Sequence, residues 1–380
     1  MWNSKTFFLY LLGVVLLLGA ACKPQTEAVK VDINNIPGVE VSDFVDPSDF
    51  FLIPLETNDQ SLMGSIHKII AGKENLFVLC DQGPIGSTST ALLVFNKDGS
   101  FLAKIGTVGH GPGEYLELAG FDIDDNARTI HLLDSDLRKV FVYTYDGGFV
   151  RELTIDGNDA GGYDIAVLND RYAFMNKWPI PIIEEISVTD MQGKAQQKYL
   201  PRNSQEYSMV PMSSYYFYKM NGEVYFVPFC DDKIFKLDTE GNMTQVKELG
   251  LKSEMFPLEA TMQEVTMGQG ENKLAPIGTF VINSKGQYYA SSFSHKGAID
   301  LFGDIHKPGV VLRSFHGSTT TTPDLTFAMD VVGADGDYFI GMLDAYNALE
   351  SYAELEKQNV NEDSNPVLVY FKFLPKTFED

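Results

Sequence analysis

Val94-Phe95-Asn96-Lys97-Asp98-Gly99-Ser100-Phe101-Leu102 sets a turn dipeptide, Asp98-Gly99, between two short apolar runs. The figure returns as Val142-Tyr143-Thr144-Tyr145-Asp146-Gly147-Gly148-Phe149-Val150, and more loosely over 187–193 and 235–241. Gly99, Gly147, Gly193 and Gly241 therefore recur at intervals of 46 to 48 residues. A glycine after Asp, Glu or Gln supplies the positive φ that a tight hairpin needs. Recurrence at one such interval is the sequence mark of a modular, repeating architecture.

Working outward, each turn is preceded by a strand of β-branched and aromatic residues. These are Leu76–Leu79, Ile130–Leu133, Tyr172–Met175, Val224–Val227, Tyr288–Ser291 and Tyr338–Gly341. Most follow a turn of their own, such as Asn221-Gly222-Glu223 or Lys285-Gly286-Gln287, and before that turn lies a further strand such as Gly120–Ile123. Each unit of about 50 residues is then a small antiparallel meander. Six of them predict an all-β chain folded as a six-bladed β-propeller, in which blades stack radially because none can bury both faces alone.

Such a ring must close. Asp49–Leu55 has strand character ahead of the first blade, and Val367–Phe373 is an isolated strand at the end. The two are expected to pair in the last blade. Tyr346, Leu349, Tyr352 and Leu355 fall at helical spacing and predict a short helix inserted in that blade. Residues 252–276 read as a long connection that covers one end of the ring.

The N-terminus reads as an export signal. Lys5 precedes an uncharged apolar run, Phe7–Leu18, and then Gly19-Ala20-Ala21. The run is too short for a spanning helix, which needs about 20 apolar residues. Cys22 follows at once, and this arrangement resembles the bacterial lipobox, in which the cysteine is acylated. The expected organisation is a signal over 1–21, a lipid-anchored tether over 22–47 and the propeller over 48–380. An ordinary cleaved signal followed by an incidental cysteine is the alternative.

The 29 basic and 52 acidic residues give a net charge of −23, and loss of Lys5 with the signal makes it −24. So acidic a chain repels phosphate backbones, which excludes nucleic acid as a partner. It equally leaves the hold on the lipid bilayer to the acyl chains on Cys22.

Ile105-Gly106-Thr107-Val108-Gly109-His110-Gly111-Pro112-Gly113-Glu114-Tyr115, between the first two blades, resembles a linker of the six-bladed, NHL-like propeller lipoproteins of Bacteroidetes. Ile53-Pro54-Leu55-Glu56-Thr57 and Asn365-Pro366-Val367-Leu368 resemble the same family's first and last motifs. The resemblance spans 48–374 and implies a cell-envelope propeller, with no catalytic residues attached to it. The glycine-rich linker is no phosphate cradle, because no helix start follows it to aim N–H groups at an anion.

Candidate ligand-binding residues lie where the second strand of a blade ends: Asp81, Asp134, Asp136 and Asp231, with Asp232 beside the last. Radial repetition would bring them toward one rim, where carboxylates suit Ca²⁺ or sugar hydroxyls. The competing role is turn formation, since Asp side chains bond their own turns. Cys80 and Cys230 fall in that register in opposite blades, too far apart for a disulfide. His295, His306 and His316 match no zinc spacing. Two functions remain: a scaffold that binds a glycan, peptide or partner protein, and a hydrolase, lyase or lactonase-like enzyme with a metal in the central funnel.

Overall fold

Blade one takes the strands Ile66–Ala71, Asn75–Asp81, Thr90–Asn96 and Phe101–Ile105, side by side in chain order. The computed structural model describes residues 33–39, 44–82, 89–155, 162–176, 182–203, 216–257, 259–267, 273–294, 297–315 and 331–378. Blades two, three and four repeat the four-stranded meander from Leu118–Asp124, Gly162–Leu168 and Tyr218–Met220. Blade five starts at Thr279–Ile282 and blade six at Val331–Asp335. The first strands pack on one another from blade to blade and so line the axis.

The strict alternation of a strand explains why consecutive apolar residues are all buried. In blade one, Phe77, Leu79, Leu92 and Val94 turn to blade two, where they meet Phe121, Ile130 and Leu132. Leu76, Val78, Cys80, Leu93 and Phe95 turn the other way and meet Ile340, Leu368 and Tyr370 of blade six. One meander thus feeds two cores.

The recurring glycine does more than make a turn. Gly99 sits at φ 88°, and a Cβ there would lie 2.1 Å from the carbonyl oxygen of Pro54 at the end of the neighbouring blade's outer strand. Gly193 at φ 83° stands in the same relation to Thr154, at 2.6 Å. Turn and inter-blade seam therefore demand glycine together.

The ring closes as the end strands anticipate: Val45–Pro54 pairs antiparallel with Val367–Phe373, Leu52 opposite Val369. The two end motifs form the clasp. Buried Asn365 donates to the carbonyls of Glu56 (2.8 Å) and Ser61 (2.9 Å) and accepts from the Met63 N–H at 3.0 Å. Its own N–H donates to Thr57 Oγ1 at 2.8 Å.

Part of the stretch expected as a tether over 22–47 belongs to the fold. Ile33, Phe44 and Val45 are buried in the core shared by blades five and six. Gly38–Val39 runs parallel to Val311–Phe315 as a fifth strand on blade five. A two-residue strand carries no periodicity, which is why the sequence pattern passed over it.

The inserted helix, Ala345–Ser351, is capped by Asp344, which accepts from the Asn347 N–H at 2.9 Å, and it continues as a 3-10 turn over Ala353–Gln358. Leu355 and Tyr352 face inward as expected, but Ala345 and Ala348 take the place of Tyr346, whose ring is exposed. In the connection after blade four, a helical turn at Met262–Met267 lies near a small core of Phe229, Cys230, Ala260, Val265 and Ala275. Among the described residues no helix is long and apolar enough to cross a membrane.

Candidate functional site

The axis is built from mostly apolar first strands, and in blades one to four the interior of that strand carries one charged residue. These are Lys68, Asp122, Asp164 and Lys219, from blades one to four. A charge in a strand buried on both faces is costly unless paired, and they pair across blades. Lys68 Nζ lies 3.0 Å from Asp164 Oδ2, with side chains 1% and 0% exposed. The Asp164 carboxylate also accepts the N–H groups of Ile165, Tyr216 and Phe217, each at 2.9 Å. Burial pushes the Asp164 carboxyl above the usual carboxylate range, and the Lys68 ammonium opposes that rise. The Phe121 and Tyr218 rings flank that ammonium, with centroids 5.8 and 5.7 Å away. Gly120 lets the strands close here, since a Cβ would fall 2.7 Å from Asp164 Oδ1.

The second pair, Lys219 Nζ to Asp122 Oδ2 at 2.5 Å, has side chains 28% and 4% exposed. Lys219 also donates to the Ile123 carbonyl at 2.9 Å. Asp122 accepts from the N–H groups of Ile123 (2.8 Å) and Val167 (2.6 Å) as well. This pair lines a cavity of about 500 Å³ on the axis. The lining begins one residue beyond the sealed pair, at Ile69 and Ile165, and reaches the turns after the first strands at Lys73, Asn126, Asn169 and Gly222. The cavity is a funnel that is blind toward the Lys68–Asp164 pair.

Each acid in the lining is already held. Asp124 accepts from the N–H groups of Asn126 (2.9 Å) and Ala127 (3.0 Å). Asp125 accepts from the Lys73 N–H at 3.1 Å and from the Tyr145 hydroxyl at 2.8 Å. Burial and that bond to Asp125 push the Tyr145 phenol well up. Near the funnel, His131 is buried between Tyr172 Oη (2.8 Å) and Thr129 Oγ1 (3.0 Å). Desolvation lowers its imidazole to about 4, with Asp122 pulling it back up and Lys219 adding to the fall.

The acids singled out in the sequence stand at the other ends of the strands. The N–H of Asp81 bonds Ser65 at the start of its blade's first strand, and Asp134 pairs with Leu118, the first residue of blade two. The turns that border the funnel lie at the opposite ends of those first strands. Asp134 is buried and accepts from the N–H groups of Leu116 (2.6 Å) and Leu137 (2.8 Å). Asp232 is likewise buried and accepts from Leu251 (2.8 Å) and Lys252 (2.9 Å). Asp81 lies 2.7 Å from His67 Nε2, Asp231 accepts from the Asp232 N–H, and Asp136 is exposed. Among the described residues no three or more His, Cys, Asp or Glu side chains gather as a metal would require. His306 is exposed, while His295 and His316 lie outside the described residues, as do Trp178, Tyr207 and Tyr215, aromatic residues suited to stacking on sugar rings; Tyr216, the fourth of that kind, is buried. Cys80 and Cys230 are buried free thiols, and burial pushes the Cys80 thiol up to about 12. In the linker, Glu114 folds back onto the Gly111 N–H at 2.7 Å, so the glycines enclose the chain's own carboxylate.

Sequence reasoning missed the axial four. Their signal was present in Lys68 before Ile69-Ile70, Asp122 between Phe121 and Ile123, Asp164 between Tyr163 and Ile165, and Lys219 between Tyr218 and Met220. Each is a charge inside a mostly apolar strand.

The family model described as a domain of unknown function (DUF4934) matches residues 26–372. Among solved structures, the chain is similar to an exported protein of Bacteroides fragilis, with 18% identity and a TM-score of 0.67, over 89% of this chain and 98% of that one. It is also similar to a DUF4221 family member from Bacteroides vulgatus, with 9% identity and a TM-score of 0.52, over 86% and 96% of the two chains. No curated protein matches it.

Proposed function

The chain belongs to the DUF4934 family, and from that premise we propose that it is an envelope lipoprotein whose propeller binds a small ligand in its blind axial funnel. The cavity of about 500 Å³ carries this reading, because its carboxylates are spent on the fold's own N–H and O–H groups. Cavities of this volume suit small ligands. A peptide or an oligosaccharide is of fitting size. Support for the envelope comes from the leader over 1–21 with Cys22, and from the exported B. fragilis protein of the same fold.

Two measurements test the reading. Asn169 is exposed at the funnel mouth. Asn169→Trp should abolish the thermal shift produced by any hit from a panel of short peptides and oligosaccharides, without lowering the melting temperature of the free protein. Retained shifts would place the ligand elsewhere. Cys22→Ala should move the protein to the aqueous phase in detergent partitioning, and continued membrane association would refute the anchor.

A further inference from the structure

Resting on that funnel reading, we propose that the ligand ends in a carboxylate, and that Lys219 receives it. The walls offer little side-chain surface of any one kind. Ile69, Ile70, Ile123, Val167, Leu168 and Ile282 line the funnel. The aromatic residues there, Phe217 and Tyr218, are only 3% and 8% exposed. Ile69, Ile123, Val167, Leu168 and Ile282 are equally buried, at 1% to 6%, so neither ring nor aliphatic face stands out and the polar groups carry the selection.

Lys219 carries the selection. An ammonium has three N–H donors. Asp122 Oδ2 and the Ile123 carbonyl take two of them. Asp122 in turn accepts the N–H groups of Ile123 and Val167, which hold it in place beside Lys219. A ligand that fills the funnel displaces water from the third N–H. Unless the ligand brings an acceptor, that donor is left bare at a cost that discriminates strongly between analogues. A carboxylate meets the need best, since bonds between two charged groups are the strong ones. The other lining acids do not compete for this donor, because Asp124 and Asp125 are bonded to the turn at the rim. The chain's overall negative charge acts weakly here, since exposed charges farther than about 10 Å are screened.

A peptide C-terminus and a medium-chain fatty acid share this chemistry. Four probes separate them: N-acetyl-Leu-Leu with a free C-terminus, the same peptide amidated, decanoate and decanol. Each is titrated calorimetrically into the full mature chain carrying Cys22→Ser. We expect one acid to bind at least tenfold more tightly than its uncharged partner, and which acid does so identifies the source. Lys219→Gln should erase that preference, Lys219→Arg should keep most of it, and Asn169→Trp should abolish binding. If Lys219→Gln does not fold, the acid-to-neutral comparison on the parent chain still decides. Equal binding of acid and neutral probes, lost in Asn169→Trp, overturns the carboxylate but leaves the funnel reading intact. Binding that Asn169→Trp leaves unchanged, or no binding by any probe, overturns both.

Discussion

Two Lys–Asp pairs cross the axis in neighbouring layers, built from the same chemistry and put to opposite uses. Lys68–Asp164 is dry on both sides and anchors three backbone N–H groups from two blades. Lys219–Asp122 has one dry member and one that reaches the funnel. A fully buried pair gains little net stability over an apolar replacement, yet breaking it strands a charge. The first pair therefore fixes how the blades meet, and the second keeps a cation at the end of a cavity. Position along one strand decides between structure and recognition.

Removing one partner of the dry pair should have the largest effect. Lys68→Met leaves Asp164 uncompensated and should cost about 3–5 kcal/mol in denaturant unfolding. Adding Asp164→Asn removes the stranded charge while keeping an acceptor for Tyr216 and Phe217, and should recover part of the loss. A single variant within 1 kcal/mol of the parent would show that water reaches this layer and that the contrast between the pairs is false.

The next effect is read through pH. His131 feels both members of the open pair, and its imidazole is lowered to about 4, chiefly by burial. The unfolded chain takes up this proton near pH 6.5 while the folded chain resists it. The stability tied to a neutral His131 is whole above about pH 6.5 and falls as the pH drops toward 4, by about 3 kcal/mol in all. His131→Gln should flatten that slope. Lys219→Gln should reduce it, because the cation that helps lower the imidazole is gone. An unchanged slope in both variants would mean that other groups carry the acid sensitivity.

Away from the axis, the closure clasp gives a reference of middling size. Asn365→Ala leaves the N–H of Met63 and the carbonyls of Glu56 and Ser61 without this partner. The expected loss is about 2 kcal/mol, with no change in ligand binding. A binding defect there would show that the funnel depends on ring closure as well as on its own lining.

What the sequence revealed and what it hid follow one physical division. Period and turn chemistry are local, so Asp98-Gly99 and its three copies exposed the blades, and the two end motifs exposed the closure. The site is made by residues roughly 40 to 100 positions apart in sequence, as Lys68 and Asp164 are, and no local rule joins them. Strand-end acids such as Asp134 drew attention because they recur, and the Asp134 carboxylate accepts the N–H groups of Leu116 and Leu137. The strap at 33–39 was illegible for a different reason: its strand has two residues, and among the described residues beside it only Ile33 and Ile36 pack on the core.

The smallest stability change belongs to the residue expected to matter most for binding. Lys219 is more than a quarter exposed, so water can solvate Asp122 in part once the ammonium is gone. Lys219→Gln should therefore cost only about 1 kcal/mol, in the range of partly solvated ion pairs, against several for Lys68→Met. Its effect on a carboxylate ligand should run the other way, with at least a tenfold loss in affinity, or about 1.4 kcal/mol. Lys68→Met, if folded, should bind that ligand nearly as the parent does, since its ammonium lies beyond the lining. Unfolding curves and calorimetric titrations on the two variants then form a crossed design. If Lys219→Gln unfolds as readily as Lys68→Met, both pairs are structural and the funnel has no dedicated cation. If the losses cross, one axis holds a bolt and a receptor a single layer apart.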